Sequence, residues 1–404
     1  MTKFSLFTVG CRTNIAESER LRAILVSKNF NYTENIKEAD LVFINTCTVT
    51  HKADRDSRKI FNRVRRINKN AKIFLTGCAI DNFKEEENVR VIKFEELLTN
   101  LNQELKEFKI LSPEESGHSR YFLKIQEGCD YTCSFCIVPL KRGKSRSIDP
   151  FDLLKEVEMA ISKGYREIVL TGTQIGDYGK ELDKNFDLKF LIKEILKINQ
   201  DFRIRLSSLH PFHVNKIYEI LTEKKITPHL HIPLQSASEK VLKDMKRPYT
   251  LKFFDKILEK ILKINRKFSI GTDIIVGFPT EKEKEFKETL EYVENAPFSY
   301  IHIFSYSKRD KTEAAKLKGL DPMIINERMK IIKEIDSKKR INFLNSLLYN
   351  IIEPVYEQSE NEFLKGLSEY GFLVKFKGNN LKKGEITKVY VHKIENTYLL
   401  GYKI

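Results

Sequence analysis

The sequence lacks any apolar run of the length needed to cross a membrane, and its first residues lack the basic segment and cleavage site of a signal peptide. We therefore expect a cytoplasmic protein that makes no membrane contact. Cysteine is scarce as well: the 404 residues include six, and none follows Cys136. Because cytoplasmic cysteines seldom form disulfides, we expect these six to serve metal or redox chemistry.

Acidic residues are too few to balance the basic ones, and 71 Lys and Arg against 56 Asp and Glu give a net charge of +15. This excess favours a polyanionic partner such as nucleic acid. A lysine-rich genome composition would produce the same excess, and either basic run could be a merely solvated face. The runs lie at 63–72, which includes Arg65 and Arg66, and at 141–146.

Three cysteines with the spacing CxxxCxxC follow a strand-like apolar run. A loop of this length can place three thiolates on one face of an iron–sulfur cube, which normally takes four cysteines. One iron would then stay open. A structural zinc site would need a fourth ligand, but His118 precedes the strand and the next histidine is His210. We therefore predict a 4Fe–4S cluster at Cys129, Cys133 and Cys136.

The first 110 residues alternate strand and helix patterns, and three strand candidates each end beside a cysteine. The carboxyl ends of parallel strands share one edge of a sheet, where ligands bind, so these cysteines would converge. Small buried cysteines in turns are the alternative. We predict a doubly wound parallel sheet with a second metal cluster, and we expect Asn14 to cap the first helix. The three cysteines are Cys11, Cys47 and Cys78.

Six strand patterns alternate with helices over the middle of the chain, which predicts a partial (βα)6 barrel of the TIM type, open on one side. The strand candidates are 121–126, 167–171, 202–207, 229–234, 270–276 and 300–305. Ligands belong at the carboxyl ends of these strands. Small and hydroxyl residues in the turns there would let a nucleotide-like ligand approach, although ordinary turn chemistry would also place them there. We expect His229 and His231 to be core or rim residues.

Two further segments frame this barrel. A helix over 94–105 and a polar linker over 106–118 precede it. A long helix over about 322–350 leads to a tail in which alternation and turn signals predict a small antiparallel β-barrel with several lysines. Basic barrels with aromatic side chains commonly bind nucleic acid. A dimerisation or substrate-capping module is the alternative.

In this order of parts the chain resembles the methylthiotransferase family of radical S-adenosylmethionine enzymes. The resemblance implies an N-terminal domain over 1–110, a radical domain over 119–345 and a TRAM-like barrel over 346–404. The threonylcarbamoyladenosine branch is most similar, on the stretch NTCTVT at 45–50 and on HLHIPLQS and GTDIIVGFP further on. The chain departs from the family where Ala237, Ser305 and Lys311 replace the usual Gly, Pro and Gly.

The resemblance implies a tRNA methylthiotransferase that converts threonylcarbamoyladenosine next to the anticodon to its 2-methylthio derivative. The later cysteine triad would hold the radical cluster, whose open iron binds S-adenosylmethionine, and the earlier triad an auxiliary 4Fe–4S cluster. A reduced flavodoxin- or ferredoxin-like donor would supply the electron, and the resulting radical would take a hydrogen from carbon 2 of the adenine. The sulfur donor is not indicated. Candidate contacts to S-adenosylmethionine are Thr171, Gly172, Ser207, Gln235 and Ser236.

Two alternatives stay within the family: modification of isopentenyladenosine in tRNA, or of an aspartate in a ribosomal protein. A third comes from a different class, a non-catalytic RNA-binding protein stabilised by metal. That protein would bind zinc rather than iron, and it would not cleave S-adenosylmethionine.

Overall fold

A computed structural model describes residues 1–101, 109–183, 185–264 and 266–404. Within these residues the elements form three groups, each with its own apolar core. The helix predicted over 94–105 spans Phe94–Asn100, and positions 102–105 lie outside the described residues. No helix of the described part is both long and apolar enough to cross a membrane.

The first group is a five-stranded parallel sheet in the order β2-β1-β3-β4-β5. Helices α1 and α3 pack on one face of the sheet and α2 packs on the other, so the central strands are buried on both sides. This confirms the predicted doubly wound sheet. The elements are β1 (Lys3–Thr8), α1 (Arg12–Ser27), β2 (Asn31–Tyr32), β3 (Leu41–Thr46), α2 (His51–Ile67), β4 (Lys72–Gly77), β5 (Val89–Val91) and α3 (Phe94–Asn100).

Helix α1 begins earlier than the sequence indicated. We expected Asn14 to be its cap, but Cys11 occupies that position and Asn14 is a buried residue of the first turn. The Asn14 amide donates to the carbonyl oxygens of Val9 (2.7 Å) and Thr46 (3.0 Å). The prediction was wrong because the amide of Asn14 bonds to neighbouring strand ends rather than to its own helix.

The second group is a barrel of six parallel strands that is open on one side, as predicted, and a seventh short strand, β7, pairs antiparallel with β6 at its edge. Its strands form two adjoining sheets, β7-β6-β8-β9 and β10-β11-β12, and the Leu209 N–H joins them by donating to the His231 carbonyl oxygen at 3.0 Å. The elements are α4 (Pro113–Ser116), β6 (Tyr121–Glu127), α5 (Val138–Arg142), β7 (Arg146–Ser147), α6 (Pro150–Ser162), β8 (Glu167–Gly172), α7 (Leu188–Leu196), β9 (Arg203–Leu206), α8 (Pro211–Lys216), β10 (His229–His231), α9 (Glu239–Asp244), α10 (Leu251–Leu262), β11 (Ser269–Val276), α11 (Glu283–Asn295), β12 (Tyr300–Ser305) and α12 (Pro322–Asn345).

Alternate residues of the barrel strands point to opposite faces of the sheet and pack against different parts of the protein. Leu123 and Leu170 point outward into the core beneath the surrounding helices. Phe122 and Val169 point the other way and pack against Ala16 of α1. The first group therefore covers the inner face of β6 and β8, which closes part of the open side of the barrel.

The third group is a six-stranded curled sheet in the order β13-β17-β18-β16-β15-β14. The Tyr356 N–H donates to the Glu385 carbonyl oxygen at 2.8 Å, which brings the edge strand β14 back towards the segment before β17. This confirms the predicted small barrel, except that β16 and β18 pair in parallel. The strands are β13 (Ile351–Ile352), β14 (Val355–Glu360), β15 (Phe363–Leu367), β16 (Leu373–Lys377), β17 (Val389–Glu395) and β18 (Tyr398–Lys403).

This third group docks at the amino ends of the barrel strands. Glu167 and Arg203 begin β8 and β9, and Arg203 donates both to the Glu167 carboxylate (2.6 Å) and to the Glu353 carbonyl oxygen (2.5 Å). Arg205 also binds Glu167 and donates to the Ser368 carbonyl oxygen at 2.8 Å. Burial alone would raise the pKa of Glu167, but the two guanidinium groups lower it well below its ordinary value. The small barrel therefore lies at the end of the large one opposite the turns that follow its strands.

Candidate functional site

A loop at 128–136 leaves β6 at the carboxyl ends of the barrel strands and carries the CxxxCxxC cysteines. Gly128 opens the loop with φ of +76°, and a Cβ added there would lie 1.9 Å from the Lys144 carbonyl oxygen. Only glycine fits both conditions. The chain can therefore turn sharply into the barrel mouth at this point.

Ser134 and Phe135 fix the middle of this loop. The Ser134 N–H donates to the Met245 carbonyl oxygen (3.1 Å) and its hydroxyl to the Asp244 carbonyl oxygen (2.7 Å). Phe135 packs into an apolar cluster with Met245 and Phe278. These contacts hold the backbone between Cys133 and Cys136, and the cysteines of the loop form no disulfide.

The pKa values of the loop thiols indicate which kind of ligand these side chains would hold. Burial raises the pKa of Cys129 to about 11 and that of Cys136 to about 12, and the neighbouring thiols add to both shifts. Three thiolates this close together need a cation to offset their charge and their loss of water, and bound iron provides it. The donor set therefore fits an iron–sulfur cluster.

Arg247 and His210 lie beside the loop cysteines. Arg247 donates from Nη1 to the Cys133 sulfur at 3.3 Å and from Nη2 to His210 Nε2 at 3.2 Å. The same imidazole nitrogen lies 3.0 Å from the Gln174 amide nitrogen, and burial together with Arg247 lowers the pKa of His210 to about 2. Two protein donors therefore occupy Nε2 of His210, while its buried Nδ1 has no hydrogen-bond partner among the described residues.

The three dispersed cysteines lie together at the carboxyl edge of the first sheet. Gly10 has φ of +112°, and a Cβ added there would lie 2.9 Å from the Cys47 sulfur. The Cys78 N–H donates to the Thr46 carbonyl oxygen at 2.9 Å, so Cys78 sits next to Cys47. Burial raises the pKa of Cys47 to about 12, and the Cys78 and Cys11 thiols add to the rise. This second set of thiols also fits a cluster with three protein ligands.

Arg142 connects the two triads. It ends α5, which begins two residues after Cys136, and its Nε donates to the Cys78 sulfur at 3.0 Å. Its Nη2 donates to Asn14 Oδ1 at 2.6 Å, and that oxygen also accepts from the Cys11 thiol at 3.7 Å. Helix α5 itself rises only about 6 Å from Val138 to Arg142. Both triads therefore face the same junction between the first and second groups.

The carboxylate of Glu17 lies at the centre of this junction and is 1% exposed. It pairs with Arg142 and with Lys124 (2.8 Å), and Arg142 also pairs with Glu127 (2.7 Å). Burial would raise the pKa of Glu17, but Lys124 and Arg142 lower it to about 2. In the basic run at 141–146, Arg142 is thus an internal ion-pair partner rather than a surface charge.

Two further contacts join the first group to the barrel. Arg12, directly after Cys11, donates to the Ser207 hydroxyl at 3.3 Å. On the other side of the triad, Arg309 forms an ion pair with Asp54 of α2, and both side chains are 7% exposed. The N-terminal edge is therefore held against the barrel mouth from two sides.

The residues predicted to contact S-adenosylmethionine occupy three of the turns at the barrel mouth. Thr171 and Gly172 end β8 and lie beside Gln126, because a Cβ added at Gly172 would be 2.6 Å from the Gln126 carbonyl oxygen. Ser207 follows β9, where its hydroxyl accepts from Arg12. These three residues line the same side of the mouth as the cysteine loop, which leaves β6.

The turn after β10 separates the last two predicted contacts. Gln235 adopts φ of +74°, and its N–H donates to the Asp273 carbonyl oxygen at 2.7 Å. The Ser236 hydroxyl lies 3.2 Å from the Thr289 hydroxyl of α11 and is fully buried. The structure therefore places the hydroxyl of Ser236 in the core behind the turn and does not bring it to the mouth.

A carboxylate and two imidazoles lie on the inner face of the barrel. Asp273 Oδ1 is 3.0 Å from His231 Nε2 and 3.4 Å from His302 Nδ1, a spacing at which the group could hold one cation. Burial would raise the pKa of Asp273, but the two imidazoles lower it well below its usual range. His229 is buried and lies 2.8 Å from the Tyr300 hydroxyl. His229 and His231 are thus buried inner-face residues, as expected.

Sequence reasoning missed three residues of this site: Arg142, Arg247 and His210. Arg142 follows the CxxxCxxC triad closely, and Arg247 precedes a proline that breaks a helical pattern. The sequence shows where both arginines lie, but it does not show which cysteines they contact. Cys78 is 64 positions from Arg142, and Cys133 is 114 positions from Arg247.

Two family models match the chain. Residues 123–293 match the Radical SAM superfamily, and residues 3–96 match the Uncharacterized protein family UPF0004. Among solved structures, the radical S-adenosylmethionine methyltransferase TsrM from Kitasatospora setae is similar with a TM-score of 0.53 and 12% identity. The match covers 78% of this chain and 77% of that one, and at this identity it supports the fold alone.

Curated relatives match over nearly the whole chain. Threonylcarbamoyladenosine tRNA methylthiotransferase MtaB of Aquifex aeolicus (strain VF5) is 37% identical, covering 84% of this chain and 89% of that protein. MtaB of Bacillus subtilis (strain 168) is 32% identical, covering 99% and 96%. The tRNA-2-methylthio-N(6)-dimethylallyladenosine synthase of Natranaerobius thermophilus is also 32% identical, covering 99% and 96%.

Proposed function

Since the chain belongs to the methylthiotransferase family of radical S-adenosylmethionine enzymes, we propose that it methylthiolates tRNA. Its substrate in this proposal is threonylcarbamoyladenosine next to the anticodon, which receives a methylthio group at carbon 2 of the adenine. The observation that carries the proposal is the convergence of two cysteine triads on one junction. A radical enzyme that only forms a radical on its substrate needs one such triad. The second triad is explained if the enzyme also inserts sulfur.

Each triad would hold one 4Fe–4S cluster with an open iron. The ligands would be Cys129, Cys133 and Cys136 in the barrel loop, and Cys11, Cys47 and Cys78 at the sheet edge. When bound, the clusters and S-adenosylmethionine supply a radical able to break a C–H bond that has no acidic character, and the sulfur that replaces the hydrogen. The electron would come from a reduced flavodoxin- or ferredoxin-like donor.

Side chains of this chain position the two triads and shield them. Arg247 places a positive charge against the Cys133 sulfur, and Arg142 does the same for Cys78. Helix α1 covers the inner face of β6 and β8, and the small barrel blocks the amino ends of the strands. Such closure reduces the access of water and competing reactants to the barrel interior.

We further propose that Thr171, Gly172, Ser207 and Gln235 contact S-adenosylmethionine at the barrel mouth. Gly172 leaves room for a ligand to approach the backbone, and Ser207 offers a hydroxyl beside Arg12. Ser236 does not contact the ligand in this proposal; its buried hydroxyl supports the turn that carries Gln235. In this proposal the domains span 1–110, 119–345 and 346–404, with the first two meeting at the site.

The threonylcarbamoyladenosine branch is favoured over its relatives by identity: 37% to the Aquifex protein of that name against 32% to a dimethylallyladenosine synthase. The modified base differs between these branches, while the chemistry at carbon 2 is the same. The substrate is therefore best distinguished by looking at nucleosides rather than at cofactors.

Mass spectrometry of tRNA nucleosides from a deletion strain tests the proposal. We expect 2-methylthio-threonylcarbamoyladenosine to disappear and its unmodified precursor to accumulate, with recovery on expression of the wild-type chain and no recovery with Cys133→Ala. An undiminished product in a strain without a paralogue would rule the proposal out. Loss of methylthio-isopentenyladenosine instead, or of a modified ribosomal-protein peptide, would identify one of the other branches.

Iron analysis separates the enzyme from a metal-stabilised RNA-binding protein. Protein prepared without oxygen should contain about eight irons and a similar amount of sulfide per chain, as two cubes require. One zinc per chain, with no cleavage of S-adenosylmethionine after reduction, would support the non-catalytic alternative.

A further inference from the structure

Helix α2 carries a row of cations on its solvent face. Arg55, Arg58, Lys59, Arg63 and Arg66 are all exposed, and with Asn62 they line a shallow groove of about 620 Å³. Their spacing of three and four residues places them on one helical face. At the helical rise the row is about 16 Å long.

These cations have no carboxylate partners within the described part of the chain. None of the ion pairs formed there involves a member of the row, although Arg65 of the same helix pairs with Glu86 at 2.9 Å. Like charges four residues apart, such as Arg55 with Lys59 and Lys59 with Arg63, destabilise a helix. A helix face that served only solubility would not require this repulsion between like charges. The row is therefore better explained as a surface that binds an external polyanion.

The row starts at the proposed active site. Helix α2 begins four residues after Cys47, and its first N–H, that of His51, donates to the Ser307 hydroxyl of the barrel at 3.1 Å. Arg55 lies one turn further on. A ligand that lies along the row therefore has one end at the junction that both triads face.

Some lysines of the small C-terminal barrel are engaged within the chain. Lys365 and Lys375 share one carboxylate, Glu360, at 3.9 and 3.2 Å. The Lys383 ammonium donates to the Gly117 carbonyl oxygen at 3.3 Å. The barrel also docks at the amino ends of the large-barrel strands, away from the cysteine loop.

We propose that the cationic row on α2 binds the phosphate backbone of the RNA substrate and guides the target nucleoside to the junction between the triads. This inference rests on the proposed function, and it adds which surface recognises the RNA. Phosphate contacts of this kind position a nucleic acid without reading its sequence. The row should therefore determine affinity and salt dependence, and the barrel mouth should determine which base is modified.

The test is anaerobic equilibrium binding of cluster-loaded protein to a full-length tRNA transcript over a range of salt concentrations. In the triple variant Arg58→Gln, Lys59→Gln and Arg63→Gln, the slope of log K against log salt should decrease in magnitude by about 2 to 3. Affinity near physiological salt should fall about tenfold or more. Because all three side chains are exposed, the melting temperature should stay equal or rise.

Matched controls separate the row from net charge. Arg66→Gln should reduce the salt slope by about 1, whereas Arg65→Gln, on the next residue and with the same charge change, should leave it nearly unchanged because Arg65 is paired with Glu86. A variant with Arg58→Lys and Arg63→Lys should keep the wild-type slope, since the charge is retained.

An unchanged slope and affinity in the triple variant, beside steep salt dependence in the wild type, would overturn the surface assignment while leaving the proposed reaction intact. Unchanged RNA binding with slower reduction by an acidic flavodoxin would also overturn it, in favour of a protein partner on α2. No binding of tRNA by the wild-type protein would overturn both this inference and the proposed function.

Discussion

Replacing Arg142 tests whether one buried side chain holds the two triads at a common junction. The change to methionine keeps an unbranched apolar stem but removes the donors to Cys78, Asn14, Glu17 and Glu127. Glu17 is 1% exposed and would keep Lys124 as its one charged partner, together with a hydrogen bond from the Asn45 amide at 3.3 Å. Removing one member of a buried ion pair generally costs about 3 to 5 kcal/mol, because the other charge stays buried without compensation.

The pKa of Glu17 gives a second measure of the same effect. The two cations outweigh burial and lower this pKa from 4.5 to about 2. At about 1.4 kcal/mol per unit, the stabilisation that ionised Glu17 gains in the folded state is about 3 kcal/mol. Because the folded-state pKa lies below the unfolded one, this stabilisation is complete above about pH 4.5 and is lost as the pH falls towards 2.

Urea titrations of cluster-free protein, followed by circular dichroism, would measure both effects. At pH 7, Arg142→Met should lower the free energy of unfolding by about 3 to 5 kcal/mol. Below pH 4.5 the variant should lose less stability than the wild type, because its Glu17 has a pKa closer to the ordinary value. The control is Lys141→Met in the same helix, which removes a pair with the exposed Asp81 and should cost about 1 kcal/mol or less.

Equal and small losses in the Arg142 and Lys141 variants would refute this reasoning. They would mean that the Glu17 carboxylate does not depend on Arg142, and that other contacts hold the first group against the barrel. The same conclusion would follow if the acid-induced loss of stability were identical in the wild type and in Arg142→Met.

Four other variants have separate expected outcomes. Cys47→Ala should abolish sulfur insertion but leave reductive cleavage of S-adenosylmethionine measurable by chromatography of deoxyadenosine, whereas Cys133→Ala should abolish both; full methylthiolation by Cys47→Ala would remove the N-terminal triad from the mechanism. Arg247→Met removes a positive N–H donor from the Cys133 sulfur and should lower the reduction potential of the loop cluster in an EPR-monitored titration, because hydrogen bonds to sulfur tune that potential; an unchanged potential would argue against the contact. Lys311 has φ of +70°, so Lys311→Gly should raise the free energy of unfolding by about 0.5 to 1 kcal/mol in a urea titration, and a loss of stability would contradict this explanation.

The clustering of the cysteines was predictable because it follows from local sequence patterns. The strand patterns before Cys11, Cys47 and Cys78 predicted a parallel sheet, and parallel strands that are in register end at one edge. The CxxxCxxC cysteines belong to a single short loop, so their thiols stay close to one another however the rest of the chain folds. Both conclusions needed only periodicity and short-range spacing.

Hydroxyl and amide residues near the barrel mouth were less predictable. Ser207 and Ser236 both lie in turns that follow barrel strands, yet one hydroxyl accepts from Arg12 and the other lies against Thr289 in the core. A turn sequence places a residue near the rim. It does not decide on which side of the turn the side chain lies, because that depends on the helix packed behind it.

The sequence by itself identified the six cysteines as candidate cluster ligands, the order of the three groups, and the excess of positive charge. The tertiary structure alone decided where that charge acts. Arg142 and Arg66 both belong to basic runs, yet Arg142 turns inward to Glu17, 125 positions away, while Arg66 stays on the solvent face of α2 and forms no ion pair with any residue that the structure describes. The physical reason is that an ion pair forms between charges that are close in space, and the folding of distant segments onto one another creates that closeness.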